Sequence, residues 1–118
     1  MDQIIIKDIL ARGIIGVNDS ERLHPQDILV NIVIFTDTTK AGLSDNVNDS
    51  VNYKTITKQV ISLAETAQRL TVEALANDIA ALIFTVPFVN GVRVRVEKPG
   101  AVRFAKSVGV EIERWQKE

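Results

Sequence analysis

Lys98, Glu73, Tyr53 and Glu21 are the side chains whose types and settings could do chemistry in this chain. Lys98 closes the stretch Val92-Arg93-Val94-Arg95-Val96-Glu97-Lys98-Pro99-Gly100, where valine and charge alternate with period two. That is the pattern of a strand with one buried face. Lys98 falls in register with the valines and so heads toward the apolar side, before Pro99 and Gly100 stop the strand. It is either a solvated lysine at a strand end or an ammonium held partly out of water. In the second case its pKa falls and it can pass protons near neutral pH. Glu73 follows the cap candidate Thr71 in the first turn of a predicted helix, where the helix dipole stabilises a carboxylate. It is either an ordinary first-turn acid or an acceptor pair for a planar ligand with two adjacent N–H donors, gripped in the forked geometry a carboxylate uses with guanidinium. Tyr53, the only tyrosine, opens another predicted helix, as a packing anchor with a wet hydroxyl or as a phenol at a pocket mouth. Glu21 lies in a polar loop after Gly16, and loops carry function when a rigid scaffold positions them.

Composition removes several alternatives. With 118 residues the chain is long enough for one domain with a real core, spanning 1–118, and too short for two. A formal charge of −1, from 14 basic and 15 acidic residues, offers no bulk field for nucleic acid or an anionic membrane. The chain has no cysteine and a single histidine, His24, so neither a disulfide frame nor a zinc site of the usual kind is expected. No stretch is long and apolar enough for a membrane span, and no signal-peptide pattern is visible, which makes the cytoplasm the expected location.

The elements that must position these side chains follow from periodicity. Ile4, Ile6, Ile9-Leu10 and Ile14-Ile15 predict a long first strand interrupted near Gly13. The segment 16–25 is polar and turn-rich. Ile28, Val30, Ile32 and Ile34 mark one face of a second strand over 28–37, antiparallel to the first, and 38–49 reads as loop. Ile56, Val60, Leu63, Ala64 and Ala67 recur at helical spacing and predict a helix over 52–68, with Ser50 and Asn52 as candidate N-caps. Val72, Leu75, Ala76, Ile79, Leu82 and Ile83 predict a second helix over 71–86, ended by Pro87. The short connection makes the two helices antiparallel. The strand 92–100 and a last strand, 108–115, complete the order ββααββ. A four-stranded antiparallel sheet with two helices on one face is a two-layer α+β domain. Its other face is mixed, with Arg93, Arg95, Glu111 and Glu113 as candidates, and its two edges are open. Closing several such sheets into a common barrel would remove the edges, so a ring-shaped homo-oligomer is expected.

Four segments occur in this order and at these separations: Gly16-Val17-Asn18-Asp19-Ser20-Glu21, Asp49-Ser50-Val51-Asn52-Tyr53, Val72-Glu73-Ala74-Leu75-Ala76 and Val96-Glu97-Lys98-Pro99-Gly100. Together they resemble the dihydroneopterin aldolase family over nearly the whole chain. The resemblance implies the tunnelling fold, in which the sheets of four subunits close into a barrel, often as two stacked rings forming an octamer with active sites at subunit interfaces. It implies a metal-free and Schiff-base-free retro-aldol without a cofactor, splitting dihydroneopterin into hydroxymethyl-dihydropterin and glycolaldehyde. Glu73 would grip the amino and ring N–H edge of the pterin with the Val72 backbone assisting. Lys98 would be the general acid/base, Tyr53 would shuttle a proton at the reacting side chain, and Glu21 would contact substrate from a neighbouring subunit. The pterin C=N can itself serve as electron sink, so the protein has only to anchor the ring and move protons.

The chain departs from the family pattern at Ser20, where an aromatic residue is frequent, and at Thr71, near which a large apolar residue is frequent; both bear on the shape of the pterin slot. The segments 52–58 and 102–108 resemble the sister branch, dihydroneopterin triphosphate epimerase. There Arg103 and Lys106 could neutralise a triphosphate, or could be solvated charges on a loop. An epimerase or a dual activity is therefore the alternative to the aldolase. A non-catalytic pterin-binding ring is a third reading; it would need Glu73 but neither Lys98 nor Tyr53.

Overall fold

β-branched residues recur along four strands: β1 (Asp2–Gly13), β2 (Gln26–Thr36), β3 (Gly91–Pro99) and β4 (Ser107–Trp115). The computed structural model describes residues 1–117. The strands form one antiparallel sheet in the order β1-β2-β3-β4. Register sets Val30 beside Val96, Ile32 beside Val94 and Ile34 beside Val92, and all six are essentially inaccessible to solvent. Helices α3 (Tyr53–Thr66) and α4 (Val72–Ile83) cover this face, α3 against β1 and α4 against β3 and β4. They bury Ile56, Val60 and Ala64 from one and Leu75, Ala76, Ile79, Ala80 and Ile83 from the other. Each fully buried Val, Leu or Ile side chain stabilises the fold by roughly 1.5–3 kcal/mol relative to exposure, so packing more than propensity holds these helices. Their N-termini are capped by Asn52, whose Oδ1 accepts from the Thr55 N–H at 3.1 Å, and by Thr71, whose Oγ1 accepts from the Ala74 N–H at 3.1 Å. This is the α+β architecture expected from the periodicity.

Differences from expectation lie where no apolar period exists. The first strand is irregular between Ile6 and Ile9, not at Gly13. Asp8 there adopts φ 57°, and its N–H donates to Asn31 Oδ1 at 2.7 Å, so a side chain of the neighbouring strand replaces the lost ladder partner. Gly13 serves close approach instead, since a Cβ at this position would lie 2.3 Å from the Ala64 carbonyl oxygen of α3. The polar segment after Gly16 contains a short helix, α1 (Asp19–Leu23), and the expected 38–49 loop contains α2 (Thr39–Ser44) and a 3-10 turn (Val47–Asp49). None of the three buries a residue. Polar contacts hold them: the Asn18 side chain caps α1, and Asp49 accepts from Ser44 Oγ at 2.7 Å beside the Lys40 ammonium at 3.4 Å.

The uncovered face of the sheet carries cross-strand ion pairs, Arg93–Glu113 at 3.0 Å and Arg95–Glu111 at 3.1 Å. Beside them the Trp115 ring stacks on Phe35 with centroids 4.7 Å apart. β1 and β4 are the sheet's edges. No helix among the described residues is long and apolar enough to cross a membrane.

Candidate active site

Lys98 leaves β3 on the valine face, as its register dictates, and its side chain is only 18% exposed. Its Nζ donates to Glu21 Oε2 at 2.9 Å. The Glu21 side chain is 21% exposed. The hydrogen bond from Lys98 first, and then one from Gln26, hold the Glu21 carboxyl below the usual carboxylate range, against an opposing push from burial. Gly16 makes room for this carboxylate. It adopts φ +122°, and a Cβ there would lie 2.2 to 2.3 Å from the Glu21 carboxyl atoms, so both the backbone and the space require glycine.

The short helix α1 could not hold Glu21 in place by itself, and Arg22 anchors it. The Arg22 guanidinium donates to the carbonyls of Gly16 at 3.2 Å, Arg69 at 3.2 Å and Gln68 at 2.8 Å. The Gly16 N–H donates in turn to the Arg69 carbonyl at 3.3 Å. Arg69 is fixed to α4 by a two-pronged pair with Asp78, at 2.7 and 2.9 Å. The loop that carries Glu21 is therefore docked on the connection that leads into Thr71, Val72 and Glu73. Val72 packs against the core, and Glu73 is exposed in the first turn of α4, at the same end of the domain as Lys98.

Tyr53 sits elsewhere. The C-terminal end of α3 leads into the Gln68–Arg69 connection, so Tyr53 at its N-terminus lies one helix length away, about 20 Å for 14 residues at 1.5 Å each. It borders a cleft of about 590 Å³ whose walls include Val51, Asn52, Val86 and Phe88, but not Glu21, Glu73 or Lys98. Arg103 and Lys106 occupy the exposed turn between β3 and β4. The Arg103 guanidinium lies over the Phe104 ring at 4.9 Å, and the Lys106 carbonyl accepts from the Gly100 N–H at 3.0 Å. Among the described residues no hydrogen bond or ion pair joins either side chain to Lys98 or Glu21.

One chain thus brings together Lys98, Glu21 and the α4 terminus with Glu73, and leaves Tyr53 at the far end. The resemblance implies that Glu21 contacts substrate from a neighbouring subunit; within one chain the Asn18 cap and the Arg22 anchor set it against Lys98. Gln26 and Arg22, which support the pair, carry no periodic or motif signal that would have singled them out. No three His, Cys, Asp or Glu side chains among the described residues come together as a metal-holding group.

A two-layer α+β domain with a largely buried ammonium–carboxylate pair at the end of its sheet has the outline of an acid–base enzyme. More particularly, the chain belongs to the dihydroneopterin aldolase family, which are lyases of folate synthesis: the family profile described as FolB, dihydroneopterin aldolase, matches residues 4–113. It is 43% identical over 114 residues to the folic acid synthesis protein FOL1 of Dictyostelium discoideum, which covers 97% of this chain and only 17% of that longer protein. It is 34% identical over 112 residues to a dihydroneopterin triphosphate 2'-epimerase of Pseudomonas aeruginosa, covering 95% of this chain and 91% of that one. The crystal structure of Escherichia coli dihydroneopterin aldolase in complex with neopterin superimposes with a TM-score of 0.91 at 37% identity, covering 97% of this chain and 99% of that one.

Proposed function

We propose that this chain cleaves dihydroneopterin by a retro-aldol reaction that uses only protein acid–base groups, giving hydroxymethyl-dihydropterin and glycolaldehyde. The observation that carries the reading is the Lys98–Glu21 pair, 2.9 Å apart and largely withdrawn from water, on a family member's fold. Glu73 and the Val72 backbone anchor the pterin edge. Lys98, with Glu21 beside it, removes the proton of the side-chain hydroxyl next to the scissile bond. The carbon–carbon bond breaks, its electron pair moves into the pterin C=N, and the ring nitrogen takes up a proton. Tyr53 then helps return a proton to carbon while the ring nitrogen gives up the one it took, which restores the C=N and releases the hydroxymethyl product. A cytoplasmic location goes with this reading.

Tyr53 can join such a site only if a second copy supplies it, because α3 holds it about 20 Å from the pair in its own chain. The open β1 and β4 edges offer the means, by closing several sheets into a ring of four, or into two stacked rings as an octamer. Sedimentation at micromolar concentration is expected to show such a closed oligomer. A stable monomer would remove the interfacial site.

The likeness to an epimerase favours one second reading, in which the same bond is cleaved and re-formed with the side-chain configuration inverted and Arg103 and Lys106 meet a triphosphate. Turnover of dihydroneopterin and of its triphosphate, compared side by side with cleavage and epimer products separated by chromatography, decides between them. Dihydroneopterin is expected to be the better substrate and free glycolaldehyde the main product. A strong preference for the triphosphate with little glycolaldehyde, reversed by Arg103→Ala with Lys106→Ala, would move the protein to the epimerase branch.

A further inference from the structure

We propose that Gln26 is a positioning residue for the reaction: its amide bridges the Ile15 carbonyl and the Glu21 carboxylate, and so fixes which Glu21 oxygen receives Lys98. The inference rests on the aldolase reading. Gln26 Nε2 donates to the Ile15 carbonyl at 2.8 Å and to Glu21 Oε2 at 3.2 Å, and Lys98 donates to that same oxygen at 2.9 Å. Both supports of Gln26 are rigid. Its backbone opens β2 opposite Gly13, and Ile15 is 1% exposed in the core. With both side-chain donors on Oε2, Glu21 Oε1 is the oxygen turned to a substrate hydroxyl in this reading.

The groups that face the Glu21 carboxylate are Lys98 from β3, Gln26 from β2 and the Asn18 backbone at the head of α1. Arg22, the neighbouring charge on α1, is turned to the carbonyls of Gly16, Gln68 and Arg69. Replacing Gln26 therefore changes the setting of Glu21 while the Arg22 anchor and the Asn18 cap stay in place. Removing one donor raises the pKa of a carboxyl, and exchanging a neutral donor for an ammonium lowers it.

The test measures kcat, the pH profile of kcat/KM and neopterin binding for Gln26→Leu and Gln26→Lys. Both variants are expected to lose about tenfold in kcat, a part of what a positioned acid–base group supplies, with the neopterin Kd unchanged within about twofold. The lowest-pH limb of kcat/KM, where the Glu21 of the free enzyme loses its charge, should move to higher pH in Gln26→Leu and to lower pH in Gln26→Lys. A merely structural part would leave the limbs in place or move both the same way, and either result overturns the proposal, as does a loss that falls on neopterin binding. Should Gln26→Leu fail to fold for want of a partner for the Ile15 carbonyl, Gln26→Lys still carries the test: a downward shift supports it and an unmoved limb overturns it. Wild-type protein that does not cleave dihydroneopterin in the same assay would overturn the aldolase reading instead.

Discussion

Lys98→Ala is expected to lower the single-turnover rate of dihydroneopterin cleavage by about a hundredfold or more, the usual loss for a positioned acid–base group. Binding of neopterin should change little, because the proposed anchor of the ring lies on α4 and not on β3. The substitution also strips Glu21 of the donor that contributes most to holding its carboxyl below the ordinary range. A carboxyl so lowered stabilises the fold at neutral pH, and that contribution is lost as pH falls through the lowered value. Lys98→Ala should therefore be less stable than wild type at neutral pH, and the deficit should close as pH falls through the lowered value. Intact single-turnover cleavage with collapsed binding would reverse the roles given to Lys98 and Glu73.

Glu73→Ala should do the opposite. Its carboxylate, exposed in the first turn of α4, has the helix dipole behind it and two oxygens for a planar N–H edge. Truncation leaves those donors unpaired in the complex, at a cost of roughly 2–4 kcal/mol, or about a thirtyfold to thousandfold rise in Kd. Once substrate is saturating, the cleavage step should fall by much less, since the proton-moving groups remain. Titration with neopterin and single-turnover kinetics at saturation separate the two effects. A Glu73→Ala variant that binds as wild type but no longer cleaves would show that the ring is anchored elsewhere.

The layers of this domain were legible in its sequence because burial imposes a period. Ile28 to Ile34 and Val92 to Val96 could be assigned a face each, and Lys98 could be placed on the apolar side two residues beyond Val96. What the sequence did not reveal depends on partners far along the chain. Glu21 and Lys98 are 77 residues apart, and their meeting depends on Arg22 finding three carbonyls, which no local pattern encodes. The irregularity in β1 was misplaced for the same reason: it follows from Asn31 on the next strand, not from the glycine at the strand's end. The helices α1 and α2 bury nothing, so no apolar repeat announced them. The separation of Tyr53 from Lys98 follows directly from the length of α3, and with it the need for a second chain if both are to act together.

The Trp115–Phe35 stack has an optical consequence. Trp115 is the only tryptophan in the chain, so the near-ultraviolet emission of the protein comes largely from one indole. That indole lies at the end of the edge strand β4, donates to Glu113 Oε2 at 3.1 Å and is 48% exposed. Its emission is thus an intrinsic gauge of whether the β4 border is bare or covered, and it reads the state of assembly with no attached label. Lys98 lies at the opposite end of β3 from Gly91, the residue that faces Trp115 across the ladder, so the same light is largely blind to events at the lysine.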